Sequence, residues 1–463
     1  MDLRILGRLL RTLADLRRHD TWTRPQLAAH QGAALTRLRQ HAYAQSPFYQ
    51  QFHRGLVDRP LTDLPVLTKG LLMEHFDDLV TDRAIHLADV RAYLAAGDPA
   101  RPFRDRYWVN ATSGSSSHPG IFLFDAPEWL MVLASFARAR EWAGVRVNLT
   151  QRMKMASVAS TDPWHMSAQV AATLQSWWLP TLRLAAGDPL AQIVARLNAW
   201  QPAMVIAYAS MAAILAGEQC AGRLHIAPEL VFTSSEVLTA AAQGRITAAW
   251  EHPPLNQYAA TEAGSLAGQC VPAGNLQLNE DLLIFENVDE HQGSVPLGVD
   301  GDHLLVTVLG SRTLPLIRYE LSDSVRIGPA PCPCGRPFAL LTSIQGRTED
   351  TLHLPGVAEG LVAIYPHLFH GVLDTVPAGG WRVVQEAAGR LRILVSQAAA
   401  DLDDAGFTAT LRRALAAQGA AVAGLTVERV AAIPKGAAGK APLIVAYRPA
   451  APAPAAPTAD RVP

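Results

Sequence analysis

Residues 112–120, Thr-Ser-Gly-Ser-Ser-Ser-His-Pro-Gly, bring hydroxyls and glycines together directly after the aromatic run Tyr107-Trp108-Val109. Such a loop can wrap backbone N–H groups and hydroxyls around phosphate oxygens, although the same composition also makes plain solvated turns. Asn256-Gln-Tyr-Ala-Ala-Thr-Glu-Ala-Gly264 offers a ring for a nucleobase, a hydroxyl for a phosphate and, in Glu262, a hard oxygen ligand suited to Mg²⁺. Its competing reading is a loop entering a helix, with Thr261 as the cap and Glu262 favoured by the helix dipole. Pro315-Leu-Ile-Arg-Tyr-Glu-Leu-Ser-Asp323 ends in a carboxylate that, at the end of a β segment, can accept hydrogen bonds from both ribose hydroxyls. Arg318 within it can equally be a surface partner for Glu320 or Asp323. Gln345-Gly-Arg-Thr-Glu-Asp350 is a short charged link, and Pro434-Lys-Gly-Ala-Ala-Gly-Lys440 is a glycine-containing loop that delivers a lysine. In Cys332-Pro-Cys334-Gly two thiolates can share a metal; Cys270 lies far upstream and Cys220 stands apart.

These residues need a scaffold, and the apolar pattern supplies one. Between about 105 and 345 short β-type runs alternate with helical ones, among them Met155-Ala-Ser-Val-Ala-Ser, Met204-Val-Ile-Ala-Tyr and Leu230-Val-Phe-Thr. Each ends in small polar residues, as buried parallel strands do when a site sits at their C-terminal ends. Leu282-Leu-Ile-Phe-Glu and His303-Leu-Leu-Val-Thr-Val, separated by Gly turns, predict a more antiparallel, β-rich region. After Gly346 the pattern predicts a smaller α+β segment, with strands near 381–385 and 391–395 and an Ala-rich helix near 402–418. Residues 1–95 read as mostly helical, and no internal repeat is present. Leu3, Leu6, Leu9/Leu10, Leu13 and Leu16 recur at helical spacing, predicting an amphipathic helix packed on the body of the protein rather than a membrane-surface anchor. The Pro- and Ala-rich stretch 448–463 lacks apolar periodicity and is expected to be disordered.

Composition sets the remaining bounds. The 463 residues, 49% hydrophobic and 17% charged, can bury one large or two unequal cores. With 40 basic and 41 acidic residues the formal net charge is −1, which leaves no electrostatic footprint for nucleic acid or an anionic membrane. No apolar run is long enough to span a bilayer, and Arg4, Arg8 and Arg11 break up any signal-peptide core. Four cysteines make no disulfide framework, so a reducing cytoplasm is the expected setting.

Taken together, the five segments resemble the adenylate-forming superfamily of acyl-CoA synthetases, and specifically its phenylacetate–CoA ligase-like branch. The resemblance runs over nearly the whole chain, and Ser46-Pro-Phe-Tyr49, Leu64-Pro-Val-Leu-Thr-Lys69 and Pro331-Cys-Pro-Cys-Gly-Arg336 look like that branch in particular. Ser113-Gly114-Ser115-Ser116 matches the superfamily's phosphate loop; Tyr258, Thr261 and Glu262 match its Y-G-x-T-E motif, with Ala259 for the glycine. Asp323 falls on the ribose-binding Asp, Arg347 on the Arg after it, Glu349 on the hinge and Lys440 on the catalytic lysine. Ser117 replaces the second glycine of the phosphate loop, and Gly120 stands where a lysine or threonine is common. More of the phosphate charge is thereby left to Mg²⁺, backbone N–H groups and other basic residues.

The resemblance implies an α/β fold: a large N-terminal domain (1–347) of mixed and parallel sheets with helices and a β-rich subdomain, a small mobile α+β domain (348–447) and the tail. It implies ATP-dependent activation of a carboxylic acid, aromatic by analogy, as an acyl-adenylate. Transfer follows to a thiol such as coenzyme A. The implied roles give Ser113, Gly114, Ser115 and Ser116 to the phosphates, Thr261 to the α-phosphate and Glu262 to Mg²⁺. Glu236 and Tyr258 lie on the nucleotide side, Asp323 and Arg347 hold the ribose, and Lys440 bridges carboxylate and α-phosphate before Glu349 acts as pivot. Trp164, His165, Tyr208, Ser234 and Ala259 would line the acyl pocket, His165 being either a gate or a packed histidine. Cys270, Cys332 and Cys334 would hold a structural Zn²⁺, with Gln277 where relatives carry a histidine; the alternative is ordinary buried thiols. A homodimer is an expectation of the same kind. Two other readings stay open: acyl transfer to an amine or a carrier protein, and a non-catalytic nucleotide-binding relative.

Overall fold

The computed structural model describes residues 3–99, 101–112, 119–145, 152–330, 332–347, 350–364, 366–373, 376, 378–398, 402–434 and 441–447. The chain forms two compact units, Met1–Thr348 with Pro434–Pro442, and Glu349–Ile433 with Leu443–Pro463. The N-terminal part of the larger unit is helical: α1 (Leu3–His19), α2 (Arg24–Gln45), α3 (Pro47–Phe52), α4 (Lys69–Glu74), α5 (Phe76–Leu79) and α6 (Leu87–Ala96). In α1 the stripe Leu9, Leu13 and Leu16 is buried while Leu10 points out, so the helix packs on the body as its periodicity predicts. A capping box of Thr23 and Gln26 starts α2, and the Ser46 hydroxyl caps α3.

A hairpin of β1 (Trp108–Ala111) and β2 (Ile121–Phe124) comes next, then α7 (Ala126–Trp142) and an alternating run. That run comprises β3 (Met155–Ala159), α8 (Met166–Leu174), β4 (Thr181–Ala185), α9 (Leu190–Trp200), β5 (Met204–Tyr208), α10 (Ala209–Cys220), β6 (Leu230–Ser234), α11 (Ala240–Trp250) and β7 (Leu255–Ala260). The meander β8 (Gly264–Cys270), β9 (Asn275–Leu278), β10 (Leu283–Val288), β11 (His303–Val308), β12 (Tyr319–Leu321), β13 (Asp323–Ile327) and β14 (Leu340–Arg347) completes the unit. Among the described residues one sheet has nine strands in the order β13-β14-β9-β8-β7-β6-β5-β3-β4. From β4 to β7 all pairings are parallel, as the buried apolar runs require, and from β7 onward they are antiparallel. Strands β10, β11 and β12 form a separate antiparallel sheet.

Packing of α7 on β8 is close. A Cβ on Gly268 would sit 2.6 Å from Ala139 Cβ and 2.8 Å from its Cα, so only glycine fits there. Beside it runs a buried polar network. Fully buried Arg138 donates to Asp281 Oδ2 and Oδ1, both at 2.7 Å, and to Asn279 Oδ1 at 2.6 Å; His19 Nδ1 meets the same Asp281 at 2.7 Å. Burial alone would raise the Asp281 carboxyl, but the Arg138 guanidinium and the His19 hydrogen bond reverse that and hold it at about 2.

The smaller unit contains β15 (Leu352–Pro355), β16 (Leu361–Ile364), α12 (Pro366–Leu373), β17 (Gly380–Ala387), β18 (Arg390–Ser396), α13 (Asp404–Ala417), β19 (Gly424–Val430) and β20 (Ile444–Val445). Its four-stranded sheet runs β19-β18-β17-β20, antiparallel in the centre and parallel at both edges, over a core that includes Phe369, Ile393 and Leu411. Strands predicted near 381–385 and 391–395 and the helix near 402–418 correspond to β17, β18 and α13. The fold is α/β with a meander-rich part, and among the described residues no helix is long and apolar enough to cross a membrane.

Candidate active site

In-register pairing of β5, β6 and β7 puts Tyr208 opposite Ser234, and Ser234 opposite Gln257, so the C-terminal strand ends converge at one edge of the parallel sheet. In open α/β sheets this edge is where ligands bind. Just beyond β3, the Ser160 N–H donates to the Tyr208 hydroxyl at 2.8 Å, and Ser160 Oγ lies 2.7 Å from His165 Nδ1. Burial, helped by the Glu236 charge, pushes the Tyr208 phenol up to about 12, so it stays neutral. His165 precedes α8, with Nε2 3.7 Å from Asp162 Oδ2. The Trp164 carbonyl accepts the Ala111 N–H at 2.9 Å, which fixes the end of β1 against this loop. Three of the sequence-selected pocket residues, His165, Tyr208 and Ser234, are thus linked to one another through Ser160 and the strand register.

The Tyr258 segment departs from one expectation. No helix follows Thr261: Thr261, Glu262 and Ala263 form the turn between antiparallel β7 and β8, closed by Gly264 at φ +78°. The capping reading therefore fails, because pairing with β8 satisfies the backbone that a helix would otherwise have to satisfy. A bulge between Tyr258 and Ala259 shifts the register there and re-aims the side chains. The Tyr258 hydroxyl donates to Asp323 Oδ2 at 2.5 Å, and the Tyr319 hydroxyl donates to Glu262 Oε1 at 3.4 Å. Asp323 opens β13 rather than closing a strand, and it pairs in register with Arg347 at the end of β14. Arg318 is no surface partner of Glu320 or Asp323. It is buried, its Nε 3.1 Å from Glu286 Oε1, because an arginine excluded from water needs a carboxylate there.

Strands β1 and β2 bracket the phosphate-loop candidate. Its neck is closed by the Thr112 N–H donating to the Gly120 carbonyl and the Gly120 N–H donating to Thr112 Oγ1, both at 2.9 Å. Ser113, Gly114, Ser115 and Ser116 lie outside the described residues, as do Glu349, Lys440 and the side chain of Arg347. Two side chains beside this neck were not selected as chemical groups from the sequence. Lys69 opens α4, and its Cδ lies 3.4 Å from where a Cβ on Gly120 would be. Tyr319 packs edge-on against Phe122, ring centroids 5.9 Å apart, which ties β2 to the partner of Glu262. The signal for Lys69 was its place in the Leu64–Lys69 run; Tyr319 had none beyond its neighbour Arg318.

Away from this edge, Cys270, Cys332 and Cys334 bring their three Sγ atoms within 4.8 Å of one another, with Cys270 and Cys332 at 3.5 Å. Tetrahedral zinc with Zn–S of about 2.3 Å sets its sulfurs about 3.8 Å apart, so the three thiols fit a thiolate site. Gln277 Nε2 lies 3.6 Å from Cys334 Sγ, and the Arg336 guanidinium donates to Gln277 Oε1 at 3.2 Å and to Cys334 Sγ at 3.5 Å. Burial pushes the Cys332 thiol up to about 12. At Cys334 burial acts the same way but is outweighed by hydrogen bonds and by the Arg336 charge, so that thiol is lowered. Cys220 is exposed and takes no part.

Solved structures identify the fold. The chain matches a 2-hydroxyisobutyryl-CoA ligase in the postadenylation state in complex with R3-HIB-AMP, with a TM-score of 0.72 and 20% identity over 93% of this chain and 92% of that one. An open conformation of that ligase with 2-HIB-AMP and CoA gives a TM-score of 0.61 at 20% identity, covering 93% of each chain. The fold is that of the adenylate-forming ligases. Sequence relatives narrow it: the chain is 25% identical over 365 residues to a phenylacetate-coenzyme A ligase of Thermus thermophilus, covering 77% of both proteins. It is also 34% identical over 94 residues, 20% of each, to a phenylacetate-coenzyme A ligase of Aromatoleum evansii. No family model matches. By sequence, then, the chain is similar to phenylacetate–coenzyme A ligases.

Proposed function

We propose that the protein uses ATP to activate a carboxylic acid as an acyl-adenylate and then passes the acyl group to the thiol of coenzyme A. The observation that carries this reading is the Tyr258–Asp323 hydrogen bond of 2.5 Å, which joins the ring suited to adenine and the carboxylate suited to ribose. A carboxylate is a poor acyl donor because its leaving group would be oxide. Attack of its oxygen on the α-phosphate releases pyrophosphate and leaves AMP as the leaving group. The thiolate then forms the C–S bond as the acyl–oxygen bond to AMP breaks.

The first step brings an anion onto a polyanion, so charge neutralisation and alignment are what the protein must supply. Ser113, Gly114, Ser115 and Ser116 steady the β- and γ-phosphates, Thr261 contacts the α-phosphate, and Tyr258, Asp323 and Arg347 hold the nucleoside. Lys69, beside Gly120, contributes positive charge near a loop whose own lysine is missing. Mg²⁺ held by Glu262 would neutralise phosphate charge. Lys440 bridges carboxylate and α-phosphate, and the small domain then turns about Glu349 to admit the thiol. Trp164, His165, Tyr208, Ser234 and Ala259 line the acyl side, where aromatic acids are the first candidates. Cys270, Cys332 and Cys334 hold Zn²⁺ as a structural clip, and the reduced thiols suit a cytoplasmic enzyme.

The test is carboxylate-dependent exchange of pyrophosphate into ATP over a panel of aromatic and aliphatic acids, with and without coenzyme A. Exchange followed by a CoA-dependent product supports the reading. Exchange without one would move the acceptor to an amine or carrier protein, and a folded protein that exchanges with no acid would be a non-catalytic relative. Lys440→Ala is expected to abolish exchange while largely sparing thioester formation from supplied acyl-adenylate; equal loss of both would refute the domain rotation.

A further inference from the structure

The cysteine cluster joins the end of β8, which carries Cys270, to the link between β13 and β14, which carries Cys332 and Cys334. Cys270 and Cys332 are buried. Three thiolates around a divalent ion carry one net negative charge, and a charge excluded from water needs a counter-charge. Among the described residues these cysteines are the whole group of His, Cys, Asp and Glu side chains able to ligate there. Two donors stand beside them. Arg336 Nη1 donates to Cys334 Sγ at 3.5 Å and to Gln277 Oε1 at 3.2 Å, and it lies 3.9 Å from Cys270 Sγ. A guanidinium has no lone pair to offer a metal. Because it faces the Gln277 oxygen, the amide turns its Nε2 towards Cys334 Sγ, 3.6 Å away. Both residues therefore present N–H groups to sulfur rather than ligand atoms.

The far side of Arg336 is held as well. Its Nε lies 3.5 Å from Asp20 Oδ2, directly after α1, and its guanidinium carbon is 5.4 Å from the centre of the Trp142 ring. Trp142 donates its indole N–H to the same Asp20 oxygen at 3.0 Å. We propose that Arg336 is a positioning residue of the cysteine metal site: held by Asp20 and Trp142, it sets its charge and N–H groups against the sulfurs and stabilises the three-thiolate form that binds the ion. This rests on the reading of the three cysteines as a metal site. It adds the counter-charge, and it makes metal affinity depend on a carboxylate at the end of the N-terminal helix.

Co²⁺ is the probe, because thiolate ligation gives it absorption bands that Zn²⁺ lacks. Full-length protein, stripped with a chelator and kept reduced, is titrated with Co²⁺, and Zn²⁺ is then added in competition. Wild type is compared with Arg336→Ala, Arg336→Lys, Asp20→Asn and the Asp20→Asn/Arg336→Ala double variant. Arg336→Ala should weaken binding about ten- to hundredfold, the usual effect of losing a partner just outside the ligands. Arg336→Lys keeps the charge without the planar fork and should recover part of that loss. Asp20→Asn should weaken binding by less. The double variant should bind no more weakly than Arg336→Ala, because Asp20 acts through the guanidinium. Sulfur-to-cobalt charge-transfer absorption per bound ion should be the same in every variant, which separates a lost positioning residue from a lost ligand. Arg336→Lys and Asp20→Asn preserve side-chain size, so they carry the comparison if Arg336→Ala does not fold. Affinity within about twofold of wild type in Arg336→Ala, or full additivity of the Asp20 and Arg336 effects, would overturn the proposal. A fall in charge-transfer intensity per ion would overturn it too, since a cysteine would then have been displaced. Wild-type protein that shows no thiolate absorption with Co²⁺ would refute the metal reading itself.

Discussion

Replacing Asp281 by asparagine tests whether the buried Arg138 network holds the larger unit together. Both Arg138 and Asp281 have no exposed side-chain surface, and two hydrogen bonds of 2.7 Å join them. The amide would keep the shape but leave the guanidinium without its counter-charge, a change that costs about 3–5 kcal/mol when a buried pair is broken. The pH dependence can be worked out separately. The native carboxyl lies at about 2 against an ordinary 3.8; at about 1.4 kcal/mol per pH unit this corresponds to about 2 kcal/mol. A depressed carboxyl contributes its stability above its unfolded value and loses it as pH falls through the folded one. The gap between wild type and Asp281→Asn should therefore be full at pH 5 to 7 and shrink by about 2 kcal/mol towards pH 2. Urea unfolding followed by tryptophan fluorescence is a suitable assay, since Trp142 lies 4.7 Å from the Arg138 guanidinium. A gap below about 1 kcal/mol at pH 7, or one that stays constant down to pH 2.5, would refute the reasoning.

Two further outcomes are expected. Tyr258→Phe keeps the ring and removes the 2.5 Å bond to Asp323, so KM for ATP should rise about tenfold with kcat nearly unchanged; an unaltered KM would show that the hydroxyl does not orient the ribose carboxylate. Protein purified with zinc should carry about one zinc per chain by elemental analysis, lost in Cys332→Ser, and a chelator should lower Tm in wild type but not in that variant. Equal metal content in both proteins would reduce the cluster to packed thiols.

Much of the architecture was legible because it is written in local periodicity. Leu9, Leu13 and Leu16 share one helical face, and the apolar runs at Met155, Met204 and Leu230 are too short and too apolar for anything but buried strands. Their small polar ends mark the edge where a site can sit. The site was legible as residue types, since an aromatic ring, a hydroxyl and a carboxylate within Tyr258–Glu262 suit a nucleotide whatever their local geometry.

Geometry was another matter. A Thr-Glu pair can cap a helix or round a hairpin with equal local ease, and pairing with β8 beneath α7 decides for the hairpin. Arg318 has acidic neighbours in sequence, yet burial makes its pairing depend on Glu286, 32 residues away. By itself the sequence determined which elements form and which chemical groups they carry, because propensity and periodicity act over a few residues. Tertiary structure alone decided which groups meet: Tyr258 with Asp323, Tyr319 with Glu262, and three cysteines with one another. Such contacts depend on strand register and on the exclusion of water, and neither has a local signature.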